Sequence, residues 1–319
     1  MDNKKLFDYV KNNIVHLNNN DIDSNIIIDS DIITIIITTN PIISNPSICI
    51  FEKLIDSIKK YDIIKNSKII ISFDGCLDFH NKKNYELFKK NYELFKKNID
   101  DYILNNNLSH NISTIYADKH VHQSNTIKNA VKMITTKFAF IIEHDFEIIH
   151  DINFYSILKT MILYEKYIKC VRLSLLEHIY HNNNIRSDIF YPDSIVINNI
   201  NFIPVINWSS HPFILNMTYY KKKIMKYIHE DSRTYIEEVF NGIIHTNISE
   251  DHSKFFKYGM YIYAEPIENF IHLKHNDGRG NMKKILPIFK YGNKIPKYAP
   301  AEFDTYPENI KKEVLDTYK

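Results

Sequence analysis

Apolar and polar positions divide this chain into short, dense hydrophobic runs separated by polar punctuation. The run Phe138-Ala-Phe-Ile-Ile-Glu-His-Asp145 is the sharpest, with Phe146-Glu-Ile-Ile149 behind it. Five apolar residues closed by charged ones read as a buried strand. Asp31-Ile-Ile-Thr-Ile-Ile-Ile-Thr38, dense in β-branched residues, reads as a central parallel strand ending at Thr39-Asn40-Pro41. Between them, Ile48, Phe51, Leu54, Ile55 and Ile58 repeat at helical spacing, with Asn45 as the expected N-cap and Pro46 as the first helical residue. Lys68 to Phe73 is a second strand closed by Asp74-Gly75, which completes a β-α-β unit.

A local duplication follows, Asn84-Tyr-Glu-Leu-Phe-Lys-Lys and again from Asn91. Tyr85, Phe88, Tyr92, Phe95, Ile99 and Tyr102 form the seam of an amphipathic helix that packs on the chain's own core. Residues 111–116 read as a third strand. Ile127, Ala130, Val131 and Ile134 mark a helix leading into strand 138–142. Strand and helix alternate up to Asp145, which predicts an α/β fold with a doubly wound, mostly parallel sheet flanked by helices. Beyond it, 151–167 reads as helix, 168–176 as strand, 177–210 as loop-rich, and 218–229 and 231–243 as helical. Residues 258–264 and 270–273 read as short strands. The domain therefore spans 31–280, after a lead segment at 1–30 holding at most one short helix. A proline-punctuated tail at 281–319 is expected to wrap the domain as a C-terminal extension.

Composition narrows the classes. A net charge of +2 gives no footing for a nucleic-acid partner. No apolar run approaches the roughly 20 residues of a membrane span. Cys49, Cys76 and Cys170 are odd in number and widely spaced, which fits reduced thiols in a cytoplasmic compartment. The chain lacks Gly-x-Gly-x-x-Gly, a P-loop and Gly-x-Ser-x-Gly, and His120-Val-His122 has no partner at zinc-like spacing.

In an open α/β sheet the carboxyl ends of the strands face the ligand crevice. Glu143 and Asp145 at such an edge suit a metal ion or the sugar of a nucleotide. The ordered set of features resembles the nucleotide-sugar-dependent glycosyltransferases of the GT-A fold, especially glycosyltransferase family 2. The set comprises a first strand ending in Thr38-Thr39, a second ending in Asp74-Gly75, and a helix carrying Asn129. An acidic triplet follows, then Ser249-Glu250-Asp251 with Gly259 and Tyr263 behind it. The family triplet Asp-x-Asp is here Glu143-His144-Asp145, which keeps both carboxylates and lengthens the first.

The resemblance implies transfer of a sugar from a nucleotide-diphosphate sugar to a hydroxyl of a glycan or protein acceptor, with inversion. A divalent cation would neutralise the departing phosphate, and carboxylate oxygens suit Mg²⁺ or Mn²⁺. Asp145 is then the first metal ligand, and His275 the histidine expected to complete the site, with His272 as its rival. Glu143 is assigned either to the donor ribose or, through water, to the metal. Strand alternation turns His144 away, into packing or a hydrogen bond. Asp74, Thr38 and Thr39 fall where the nucleotide is contacted, with Asn129 and Lys128 as lesser candidates. Arg279, behind Gly278, would face the diphosphate. Asp251 takes the place of the general base, with Glu250 as the alternative, unless the two merely suit a helix dipole. Trp208 and His211 fall in the acceptor region, where a core tryptophan is the competing reading.

Two other classes compete. A sugar-phosphate nucleotidyltransferase needs a glycine-rich, basic first loop, and residues 38–45 hold no Gly, Lys or Arg. A non-catalytic carbohydrate-binding protein fits the altered triplet, but Asp74, Asp145 and Asp251 are all retained.

Overall fold

The computed structural model describes residues 2–18, 26–42, 44–76, 82–174, 193–228, 236–266 and 271–276. The predicted tail and Arg279 lie outside them. The lead segment forms helix α1 (Asn3–Asn18). It buries Leu6, Phe7, Val10 and Ile14 in the same core as the sheet, so it is part of the domain's packing.

The β-α-β reading holds. Strand β1 (Ile33–Thr39) is buried along its whole length, as a central strand covered on both faces must be. Helix α2 (Cys49–Lys59) begins three residues later than the sequence suggests. Asn45 donates its backbone N–H to Ile42 and Ser47 donates to Ser44, so residues 44–47 are spent in turns and Ile48 makes no side-chain cap. Strand β2 (Lys68–Phe73), helix α3 (Lys82–Asn105), strand β3 (Ile112–Tyr116), helix α4 (His122–Val131) and strand β4 (Phe138–Glu143) follow. Tyr92, Phe95 and Ile99 of the duplicated seam are buried, as the period requires.

After β4 come β5 (Phe146–Ile148), α5 (Phe154–Leu163) and β6 (Cys170–Arg172), the last two shorter than predicted. The stretch expected to be loop-rich contains a hairpin, β7 (Ile195–Ile197) and β8 (Ile200–Pro204). Its two connecting residues, Asn198 and Asn199, both have positive φ, 50° and 62°. That pair suits the tight turn joining twisted strands. β9 (Phe213–Asn216) leads into the single turn α6 (Met217–Tyr219). A π-helical segment and a 3₁₀ turn then run to Tyr227 in place of the regular helix predicted. Helix α7 (Ile236–Glu250) and the short α8 (Phe255–Tyr258) precede β10 (Met260–Tyr263), and β11 (Leu273–His275) is the last strand described.

Among the described residues nine strands form one sheet in the order β3-β2-β1-β4-β9-β6-β10-β8-β7. Only β8 and β9 run against the rest, so the sheet is mixed but mostly parallel in direction, with helices packed against it. Gly259 ends α8 at φ +51°, and a Cβ there would lie 2.3 Å from the Tyr167 carbonyl oxygen. That glycine lets the chain pass close to the start of β6 before entering β10. Among the described residues no helix is long and apolar enough to cross a membrane.

Candidate active site at the carboxyl edge of the sheet

The strand order turns at β1, whose following strand β2 lies on one side and β4 on the other. Such a switch point leaves a crevice beyond the carboxyl ends of the two strands. Thr38 stands opposite Glu143 in the β1–β4 register, so the acidic triplet opens at that crevice.

The chain then turns sharply. His144 donates its backbone N–H to Thr38, at 3.0 Å, and its ring is fully buried against Phe95. The packing role expected for His144 is what the structure shows. Asp145 is fully buried. From there β5 runs antiparallel to β11, with Phe146 opposite His275. The Asn276 N–H closes the ladder onto the Asp145 carbonyl at 2.7 Å, and its side-chain amide donates to Glu147 at 3.3 Å. This two-stranded ribbon carries a residue 130 positions further along the chain back to the triplet. His275 Nε2 lies 3.4 Å from Asp145 Oδ2, with the imidazole edge-on to Phe146 at 4.5 Å.

Imidazole and carboxylate are both donors for Mn²⁺. Two donors on adjacent corners of an octahedron of radius about 2.1 Å sit about 3 Å apart, close to the observed separation. Among the described residues no group of three or more His, Cys, Asp or Glu side chains could hold a metal. Asp145 and His275 are two donors of that kind side by side at the triplet.

His272 is excluded as the rival. Its Nδ1 accepts the Ser174 N–H at 3.3 Å, and Nε2 lies 2.8 Å from the Glu265 carbonyl oxygen, to which it donates. Both nitrogens are occupied, and burial pushes the imidazole pKa down to about 4. His272 anchors the strap that delivers His275.

Asp74 is at the same edge and buried, but it holds protein. Its carboxylate accepts the N–H groups of Gly75 (2.8 Å), Val121 (2.7 Å) and His122 (3.1 Å), and His120 Nδ1 lies 2.8 Å away. It ties β2 to the entry of α4. A Cβ on Gly75 would lie 2.2 Å from the Lys119 carbonyl carbon, so this approach admits only glycine. Thr38 and Thr39 are buried, and the Thr39 hydroxyl is bonded to Tyr92 at 2.9 Å, which takes it from any nucleotide.

Five expected residues are elsewhere. Asn129 sits about 10 Å along α4 from its first turn, and accepts from Lys132. Lys128 reaches the Ile228 carbonyl. Trp208 is 5% exposed, edge-on to Phe213 and Phe240, and clamped by Asn241 through its backbone N–H and carbonyl. It is a core tryptophan, with no ring face open to a sugar. Glu250 and Asp251 precede β10, whose Met260 end aligns with the Cys170 end of β6. Both strands run parallel to β4, so the acid pair lies toward the opposite end of the sheet from Glu143. Glu250 pairs with Lys254 at 2.7 Å. Asp251 caps the following 3₁₀ turn, and hydrogen bonds from the Ser253 hydroxyl and N–H hold its carboxyl below the ordinary value. Neither is positioned to deprotonate an acceptor at the triplet.

Arg172 escaped the sequence reading. It ends β6, 3% exposed, level with Ile141 across β9 and about 10 Å away at two strand spacings. A lone charged residue inside Cys170-Val-Arg-Leu173 was the available signal. His211 arrives at the same edge, because the next residue, Pro212, accepts the Leu173 N–H.

No protein-family model matches the chain, and no curated protein matches its sequence. Solved structures do. One is S. aureus TarS 1-349, at 10% identity and TM-score 0.44, over 79% of this chain and 62% of that one. Another is the same fragment in complex with UDP-GlcNAc, at 10% identity and TM-score 0.43, over 76% and 57%. A third is mannosyltransferase PcManGT from Pyrobaculum calidifontis in complex with GDP-Man and Mn²⁺, at 9% identity and TM-score 0.38, over 84% and 67%. The chain spans less than two thirds of the length of these TarS chains.

Proposed function

We propose that the chain is a nucleotide-sugar-dependent glycosyltransferase whose donor diphosphate sits beyond the carboxyl ends of β1 and β4. The observation that carries this reading is the Asp145–His275 pair, 3.4 Å apart and held at the switch point by the β5–β11 ribbon. A fully buried carboxylate is costly to keep without a cation. This one is joined by a second donor of the right chemistry at the spacing that a shared ion uses. A divalent ion bound there would stabilise charge growing on a departing diphosphate. The protein's share is to fix both donors, to keep Glu143 at the rim for the donor's ribose, and to exclude water through the packing of Phe146 and His144. Arg172 joins Arg279 as a candidate cation at this edge.

The test is thermal denaturation with a panel of nucleoside diphosphates and their sugars, with Mn²⁺ and with EDTA. Stabilisation by one nucleotide in Mn²⁺ and its loss in EDTA are expected. A ligand at about 100 times its Kd adds roughly 2.7 kcal/mol. Equal shifts in EDTA would remove the metal from the proposal. Absence of a shift with every nucleotide would remove the donor.

A further inference from the structure

At the other end of the sheet is a pocket of about 660 Å³ whose walls hold Lys166, Lys169, Lys222, Lys223, Lys226 and Lys257. Three separate parts of the chain supply them: the turn before β6, the π-helical segment and 3₁₀ turn after α6, and α8. Glu165 is the one acid among the described lining residues, and it is engaged by Lys137 at 2.9 Å and by the Asn216 amide at 3.2 Å. Among the described residues no carboxylate comes within ion-pair distance of Lys166, Lys222, Lys223, Lys226 or Lys257. Lys169 donates to the Glu165 backbone carbonyl, and burial holds its ammonium below the ordinary lysine value against the opposing pull of Glu165.

Like charges gathered around a concavity repel one another, and a bound anion relieves them all at once. Field lines focus in such a cleft and raise the local concentration of anions. The floor is aromatic and recessed, with Tyr219 and Tyr258 buried and Tyr227 half-buried. A surface that inserts into lipid carries protruding apolar side chains. Among the described residues, none of the exposed large hydrophobic ones belongs to this pocket. The volume falls within the range of small-molecule sites.

We propose that this pocket is a second ligand site, distinct from the carboxylate edge, for a small phosphorylated molecule. Its phosphate groups would be held by the lysines and its body by the tyrosine floor. Lysine serves phosphate as a point charge and needs no fixed fork geometry, so several lysines on three elements can converge on one polyanion. The site needs no divalent cation, which separates it from the donor site.

The test is calorimetric titration of the full chain with sodium tripolyphosphate, in EDTA at low ionic strength, where surface charges are least screened. Saturable binding of one ion per chain is expected. It should weaken at least tenfold in the double variant Lys222→Glu, Lys226→Glu, and should be unchanged in Asp145→Asn. Both lysines are exposed, and an unchanged thermal melt of the double variant without anion confirms its fold. Equal binding by the double variant, or no saturable binding by the parent, overturns the proposal. Sedimentation of the parent with phosphatidylglycerol vesicles, without tripolyphosphate binding, also overturns it and assigns the lysines to a membrane surface.

Discussion

Two acidic pairs in this chain look alike on paper and differ completely in space. Glu143 and Asp145 follow a buried strand, whereas Glu250 and Asp251 end a helix. Asp145 is fully buried, with an imidazole 3.4 Å away and a backbone clamp from Asn276. Asp251 is exposed, and both of its oxygens are taken by its own neighbour Ser253. The first pair stands where desolvation makes charge expensive and a cation valuable. The second stands in water, where its charge does little beyond capping a turn. Composition and spacing near each pair leave a catalytic and a merely structural reading open for both. What separates them is which end of the sheet each occupies, and the topology fixes that.

The most direct way to break the comparison is Asp145→Asn. Loss of a charged donor to the cation should lower sugar transfer on the order of 10³-fold, equivalent to about 4 kcal/mol of transition-state stabilisation. The measurement is kcat/KM with the nucleotide sugar identified by thermal shift. Retention of parental turnover would remove Asp145 from the reaction and leave the two pairs equivalent.

Asp74→Ala probes whether the edge is built before it acts. Removal of the carboxylate strands the N–H groups of Gly75, Val121 and His122, and each unsatisfied buried donor costs about 1–3 kcal/mol. A stability loss of about 3 kcal/mol in urea titration is expected. An unchanged midpoint, with only nucleotide affinity reduced, would restore Asp74 to the ligand-contacting role that the sequence suggested.

The strap beneath the site carries a pH signature. His272 has its pKa pushed down to about 4 by burial. The unfolded chain binds this proton near pH 6.5 and the folded chain only near 4, so the unfolded state holds more protons between those values. Stability is therefore fully present above pH 6.5 and is lost as the pH falls toward 4. Between pH 7 and pH 5 the expected loss from this group is about 2 kcal/mol. Denaturant titrations at the two pH values measure it, and His272→Gln should flatten the slope. An equal slope in that variant would place the acid sensitivity elsewhere.

Much of the architecture was legible. The β-branched run of β1, the seam of α3 and the apolar run of β4 each carry a period or density that only one buried arrangement satisfies. The β7–β8 hairpin was missed because Asn-Asn marks such turns less plainly than Asn-Gly. In a chain with so many asparagines the pair also drew no attention. The pairing of Asp145 with His275 was read only through resemblance, since nothing in either local sequence encodes a ribbon joining positions 130 residues apart. Trp208, Asn129 and Asp251 have residue types that suit the chemistry, but long-range packing places them away from the triplet. Thr39 is at the right edge, yet Tyr92 from α3 occupies its hydroxyl.

The smallest effect is expected at Asp251, and it sharpens the comparison most cleanly. A general base contributes about 10² to 10⁴-fold to turnover, so a base at this position could not be replaced quietly. Asparagine keeps the shape of aspartate and is an equally good cap, so the bond from the Ser253 N–H to Oδ1 survives the substitution. Asp251→Asn should leave sugar transfer within roughly twofold of the parent and the thermal melt nearly unchanged. Glu250→Gln, which gives up only an exposed helix-end pair with Lys254, should behave the same way. A hundredfold loss in either variant, in protein that still melts normally and binds nucleotide, would mean that the end of α7 reaches the acceptor after all. The base would then have to be sought on the amino-terminal side of β10, and the carboxyl edge would hold only the donor.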